Sequence, residues 1–325
     1  MAEHAMYFTD ERAQKMYKIR VGILKGLVYL FLSIFAIFML FPFVIMVVGS
    51  FVEQDNFQKF AVLGKFEYLT DWKTYGPWTG ENYKIIMTGL DNEGNSITQG
   101  GANFPIYFLN TLIVAVASTT VTVVTAVLAA FAFARLKFKG KDALFALLLA
   151  TMMIPGEMMV ITNFQTVLAL DWRNTFSALI FVHGVSVFYI FYLRQTFQQI
   201  PNELYLAAKV DGVGDLGYLL KVMVPIAMPT ITTIIILSMM GSWNSYIWPN
   251  LVASQNWTPF GHETSHSMKL VSNGLRDMLS PVAGEPPKDA VKIAGSMVIS
   301  IPLLIVFILF RKYIMRGVSR SGIKG

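Results

Sequence analysis

The stretch 201–225 reads PNELYLAAKVDGVGDLGYLLKVMVP and lies between two long apolar runs. It carries Glu203, Lys209, Asp211, Asp215 and Lys221 among small and apolar residues. Pro201 suits a first helical turn, where a missing N–H costs nothing. Glu203 then falls near the helix N-terminus, where negative charge is favoured. Leu204, Ala207 and Ala208 form a short apolar patch at helical spacing. Asp211-Gly212 ends the helix or makes a tight turn, because glycine takes backbone angles that other residues avoid. A second short helix is expected from Asp215 to Val222. Two short helices parted by a glycine make a compact knob. Spacing alone leaves two uses open, insertion into a partner's cleft or an ordinary interfacial connector.

The rest of the chain says where that knob sits. Of 325 residues, 54% are hydrophobic and 14% charged. Soluble domains carry roughly a quarter charged residues. The mean hydropathy of +0.54 therefore points to a membrane protein. The net charge of +6 is no sign of nucleic acid, because Lys and Arg gather beside apolar runs. The chain has no cysteine, which excludes disulfides and thiolate metal sites.

A bilayer core of roughly 30 Å needs about 20 apolar residues as a helix. Six segments meet that test: 26–51, 106–134, 143–161, 176–193, 222–251 and 291–310. The expected fold is an all-α membrane protein of six transmembrane helices with a cytoplasmic helical knob. The first run is too long for a signal peptide and is expected to stay as a span. Arg12, Lys15, Lys18, Arg20 and Lys25 precede the first span. Arg135, Lys137, Lys139 and Lys141 separate the second and third, and Arg311, Lys312, Arg316, Arg320 and Lys324 follow the sixth. Basic flanks mark the cytoplasmic side. Both termini and the stretch 201–222 are then cytoplasmic, and the loop 53–105 lies outside.

The resulting organisation is a cytoplasmic segment 1–25, a membrane domain 26–310 and a basic tail 311–325. Ala126, Ala130 and Ala134 stack on one face of the second span and suit close helix packing within the chain. Pro155, Pro225 and Pro229 are expected to bend or break their helices.

With these pieces placed, the chain resembles the importer-type ABC permeases. Their cytoplasmic signature runs Glu-Ala-Ala, three residues, Gly, nine residues, Ile, one residue, Leu-Pro. Leu206-Ala207-Ala208, Gly212, Val222, Val224 and Pro225 keep that spacing. NTLIVAVASTTVTVVTAVLAAFAFARLKFKGK (110–141), MMIPGEMMVI (152–161) and RGVSRSGIKG (316–325) resemble the second permease subunit of maltose-type sugar importers. The resemblance covers nearly everything from Asn110 to Gly325 and is weak in 53–105. It implies the type I importer permease fold in a bacterial or archaeal inner membrane, surrounded by lipid. It also implies a second permease subunit, two ATPase subunits that use ATP and Mg, an external solute-binding protein and a sugar substrate. This chain would bind no cofactor of its own. Its ATPase contact would be made by Glu203, Leu206, Ala207, Ala208, Asp211 and Gly212. The family's Glu is Leu206 here, so an apolar contact, Glu203 or Asp211 must replace the usual ion pair.

Sugars need aromatic faces for their C–H surfaces and polar groups for their hydroxyls. GSWNSYIWPN (241–250) offers both. Trp243, Tyr246 and Asn250 have helical spacing on one face, with Asn244 adjacent, and are candidates for the substrate path. Trp248 reads better as part of an interfacial aromatic belt. Glu157, beside Pro155, is a further path candidate or satisfies backbone freed by the proline. His183 is expected to be hydrogen-bonded between helices. His262 and His266 have a chelating spacing, but no further ligand accompanies them.

No phosphate-binding loop, nucleophile elbow or paired-His enzyme motif occurs. ATP hydrolysis would then belong to a partner. The competing reading is a gradient-driven secondary transporter, which calls for several intramembrane carboxylates and a two-fold repeat. A membrane assembly factor without transport is a third.

Overall fold

The computed structural model describes residues 11–53, 57, 78–90, 104–253, 267–278 and 289–319. Most of the loop 53–105, His262 and His266, and the end of the basic tail lie outside these residues. The chain falls into two units, one ending at Asn82 and the other beginning at Tyr83.

The first unit is dominated by α1, Glu11–Ser50. It is apolar around most of its circumference, and its large side chains are exposed, Phe38 to 73%. Such a helix has no place in water and calls for lipid or protein around it. Its last carbonyls lack intrahelical partners. The Asn82 amide donates to the carbonyls of Ser50 and Val52, at 2.9 and 2.8 Å.

The second unit is built on α3, Phe104–Ala134, which follows the short α2, Glu81–Thr88. Asn110, Val114, Ser118, Thr122, Ala126 and Ala130 are all buried on α3. They recur every four residues and so form one face. Ala126 and Ala130 are fully buried inside the chain, as their spacing predicts. α3 packs against α6, Phe176–Ile180, α7, Val187–Gln198, α10, Met228–Trp243, and α12, Val271–Met278. α13, Asp289–Ser319, closes against α10 and α12.

The prolines act as expected. α4, Lys141–Thr151, is followed by a 3₁₀ turn at Gly156–Met158 and by α5, Met159–Ala169. The pair bends by 78° at the Pro155 break. α9, Asp215–Ile226, meets α10 at 81°. α9 includes a π-helical turn, Leu219–Met223, just ahead of Pro225. Among the described residues, three helices are individually long and apolar enough to cross a membrane, and up to five spans result if each bent pair is one.

The expected fourth span, 176–193, differs. It is cut into α6 and α7 by the turn 181–186. Thr175 caps α6 by accepting from the Ala178 N–H, and Ser186 caps α7 by accepting from the Tyr189 N–H. Between them Gly184 approaches α3 closely, and the Thr125 hydroxyl donates to its carbonyl at 3.0 Å. A Cβ at Gly184 would lie 2.7 Å from Val121 Cγ1. The apolar run hid a restart that two hydroxyl caps and one glycine impose.

Gly184→Ala is expected to overpack this crossing and destabilise the protein by about 1–3 kcal/mol. A lowered melting temperature in detergent, with membrane insertion unchanged, is the expected result.

Candidate functional site

α8, Asn202–Val210, is the first helix of the knob. Pro201 precedes it in an extended conformation and Glu203 lies in its first turn. Its end is a Schellman cap. The Val213 N–H donates to the Ala208 carbonyl at 2.8 Å and the Gly212 N–H to the Lys209 carbonyl at 3.1 Å. Gly212 supplies the required left-handed backbone, with φ +74°. Nothing lies within 4 Å of a Cβ added there, so its need is conformational rather than steric.

The six expected contact residues divide by face. Ala208 is buried against the core that holds Leu193, Phe197, Tyr218 and Met223. Glu203, Ala207, Asp211 and Gly212 are exposed. Leu206 is 56% and Val210 88% exposed. Glu203, Leu206 and Val210 share the outward face by their spacing.

The inward face carries residues that the motif did not reveal. The Tyr205 hydroxyl donates to Asp215 Oδ1 at 2.8 Å, and Lys209 Nζ pairs with the same oxygen at 2.7 Å. Tyr205 also meets Tyr218 edge-on, with centroids 5.0 Å apart. The hydrogen bond to the Asp215 carboxylate holds the Lys209 pKa above its usual value. The same carboxylate raises that of Tyr205, with partial burial adding to the effect. Beneath the knob, Arg135 Nη2 donates to the carbonyls of Phe197 and Ile200. These carbonyls lie at the end of α7, where helix partners run out. In the sequence Arg135 carries only the signal of a positive-inside charge.

The substrate-path candidates are not brought together. α10 ends at Trp243 and the next helix, α11, Ile247–Val252, starts after a break, so Trp243, Tyr246 and Asn250 share no helical face. Trp243 is buried, its indole N–H on the Ile299 carbonyl at 3.2 Å and its ring edge-on to Phe108. Asn244 is exposed and donates to the Met240 carbonyl at the end of α10. The Tyr246 hydroxyl accepts from Arg276. Asn250 is half-buried on α11, and Glu157 is exposed in the 3₁₀ turn after Pro155. Trp248 is buried rather than in an exposed belt, and it donates to the Ala178 carbonyl at 2.9 Å. His183 meets the Trp248 ring edge-on at 5.2 Å rather than through a hydrogen bond between helices.

The second unit also contains a cleft of about 280 Å³ between α3, α10, α11 and the turn 181–186. Ser118, Thr122, Ser186, Ser238 and Ser242 contribute hydroxyls to its wall. Ser118 Oγ donates to Ser242 Oγ at 3.1 Å. Single serines in apolar runs carry no sequence signal, so this convergence was not foreseen.

Residues 122–320 match the family model of the binding-protein-dependent transport system inner membrane component. The chain belongs to that family. The permease is 30% identical over 292 residues to the trehalose/maltose transport system permease protein of Thermococcus litoralis, covering 89% of this chain and 93% of the relative. It is 29% identical over 236 residues to the arabinooligosaccharides transport system permease protein of Halalkalibacterium halodurans, covering 73% and 80%. Its fold is similar to the crystal structure of a bacterial ABC transporter involved in the import of the acidic polysaccharide alginate. That similarity has a TM-score of 0.67 at 19% identity and covers 94% of this chain and 99% of that one. Helical in the elements of its described residues, the chain has the ABC importer permease fold and is a transport subunit rather than a catalytic one. Family membership sets aside the gradient-driven carrier.

Gly212→Val would put a β-branched residue into a left-handed cap, at a cost of about 1–2 kcal/mol. Asn tolerates that region better. Detergent melting temperatures are expected to fall in the order wild type, Gly212→Asn, Gly212→Val.

Proposed function

We propose that this permease carries sugars, oligosaccharides foremost, inward across the cytoplasmic membrane as one half of an ATP-driven importer path. The family description and the sugar-transport names of both relatives support this reading. The other half is a second permease, and two ATPase subunits that use ATP and Mg stand beneath the pair. A solute-binding protein delivers substrate from outside. With the interrupted 176–193 segment counted as one, six spans leave both termini on one side, and their basic residues favour the cytoplasm.

The observation that carries the coupling role is the mounting of α8. Its inner face is tied to α9 through Asp215, and its end is fixed by the Gly212 cap. Its outer face is free to dock in an ATPase groove. Leu206 and Val210 make that contact apolar where relatives of the resembled type use a Glu. Loss of an exposed ion pair removes only about 0–1 kcal/mol, so docking survives the exchange. ATPase closure pushes α8, and α9 transmits the displacement towards the bend before α10.

Purification in mild detergent is expected to recover an ABC ATPase and a second permease, and proteoliposomes of the complex to take up sugar only when ATP is supplied. Sugar uptake driven by an ion gradient, with no ATPase present, would overturn the proposal. Leu206→Asp is expected to abolish ATPase recovery while leaving the permease pair intact. Gly212→Val is expected to leave insertion intact and to uncouple ATP hydrolysis from uptake.

A further inference from the structure

We infer that the cleft between α3, α10 and α11 is a subsite for one uncharged sugar unit of the transported substrate. The inference rests on the sugar-import reading and deepens it, since it names where this chain meets the substrate and the charge class it accepts.

Three features support it. The first is chemical. The wall combines serine and threonine hydroxyls with the His183 and Trp248 rings and with aliphatic side chains. Each hydroxyl has one donor and two acceptor sites, so the Ser118–Ser242 bond leaves capacity on both. His183 has no hydrogen bond to any described residue, so its ring nitrogens are available to a ligand. A pyranose offers the complementary surface, hydroxyls around its rim and C–H groups on its faces.

The second feature is backbone. The cleft is flanked by two interruptions of otherwise apolar helical runs. The turn 181–186 contributes His183 and Ser186, and the break after Trp243 contributes Ser245. Non-helical backbone at membrane depth survives only where protein buries it or where it lines a wet cavity. Broken helices are also where membrane transporters hold their substrates. Packing alone would not require two breaks facing the same space.

The third is size and charge. The volume of about 280 Å³ is at the lower end of ligand pockets, roughly 300 Å³ upward. It suits a single sugar ring rather than a chain. Among the described residues, no Asp, Glu, Lys or Arg lines it. A uronate would have to leave its carboxylate without a cationic partner, at a desolvation cost that a neutral sugar avoids.

The absence of cysteine allows a direct test of the assembled importer. Ser242→Cys, and separately Ser238→Cys, would be exposed to a small methanethiosulfonate reagent in the full complex, with labelling of this chain followed by mass. Neutral oligosaccharide is expected to slow labelling at least tenfold, and the matching uronate oligosaccharide to leave it unchanged. Equal protection by both sugars, or protection by the uronate alone, would overturn the charge assignment. Thiols that no reagent reaches, with and without ATP, would overturn the cleft as a path. Labelling that no sugar slows, in a wild-type complex that imports sugar, would remove the subsite and leave the importer standing. A wild-type complex that imports no sugar would instead remove the proposed function itself.

Discussion

The second unit depends on one face of one helix. From Asn110 to Ala130, α3 presents a buried residue every four positions, and that face changes character along its length. At one end the Asn110 amide donates to the carbonyls of Ser267 and Lys269, and the Thr111 hydroxyl accepts from the Val271 N–H. In the middle, Ser118 and Thr122 open on the cleft. At the other end Ala126 and Ala130 let neighbouring helices approach. In lipid no hydrophobic drive holds helices together, so close contact and interhelical hydrogen bonds must do it. α3 supplies both, in separate zones. Larger residues at the alanines would part the helices around it, and apolar ones at Ser118 and Thr122 would line the cleft with hydrocarbon.

The knob, in its proposed docking role, faces a different problem. A push from outside moves the membrane helices only if the pushed element is stiff and firmly joined. With 9 residues, α8 is about two and a half turns long, and helices so short are marginal by themselves. Its order comes from its surroundings. The Schellman cap closes its end, Ala208 and the Tyr205–Tyr218 contact seat its inner face, and Asp215 holds Tyr205 and Lys209 together. Arg135 braces the end of α7 directly below. Beyond Tyr218 the chain passes through a π turn and then the bend at Pro225. π turns inside helices often mark functional sites. The stiff part of the knob thus ends at a π turn and a bend, where the regular helix is interrupted.

Much of this was legible in advance, because it rests on local chemistry. A long apolar run reads as a membrane helix wherever it occurs, and α1, α3 and α13 were recognised in that way. Proline removes a donor regardless of fold, so the breaks at Pro155 and Pro225 were foreseeable. Gly212 announced its cap by its place after Asp211. The fourth run misled for a related reason. FVHGVS (181–186) is apolar enough to pass as helix, and only contact with Val121 and Thr125 on α3 makes its glycine and its serine cap decisive. Likewise GSWNSYIWPN looks helical at Trp243, Tyr246 and Asn250, yet the chain breaks between the first two.

The sequence by itself determined the class of protein, most of its apolar helices and the two-helix knob with its glycine turn, because hydropathy, proline and glycine act on the residues that carry them. Only the tertiary structure decided which side chains face one another. Tyr205 meets Asp215 because the Gly212 turn folds one helix back towards the next. Ser118, His183 and Ser242 meet because three packed segments leave a space between them. Hydroxyls and rings so far apart in the chain have no common signal in the sequence, and it is packing that gives them one wall.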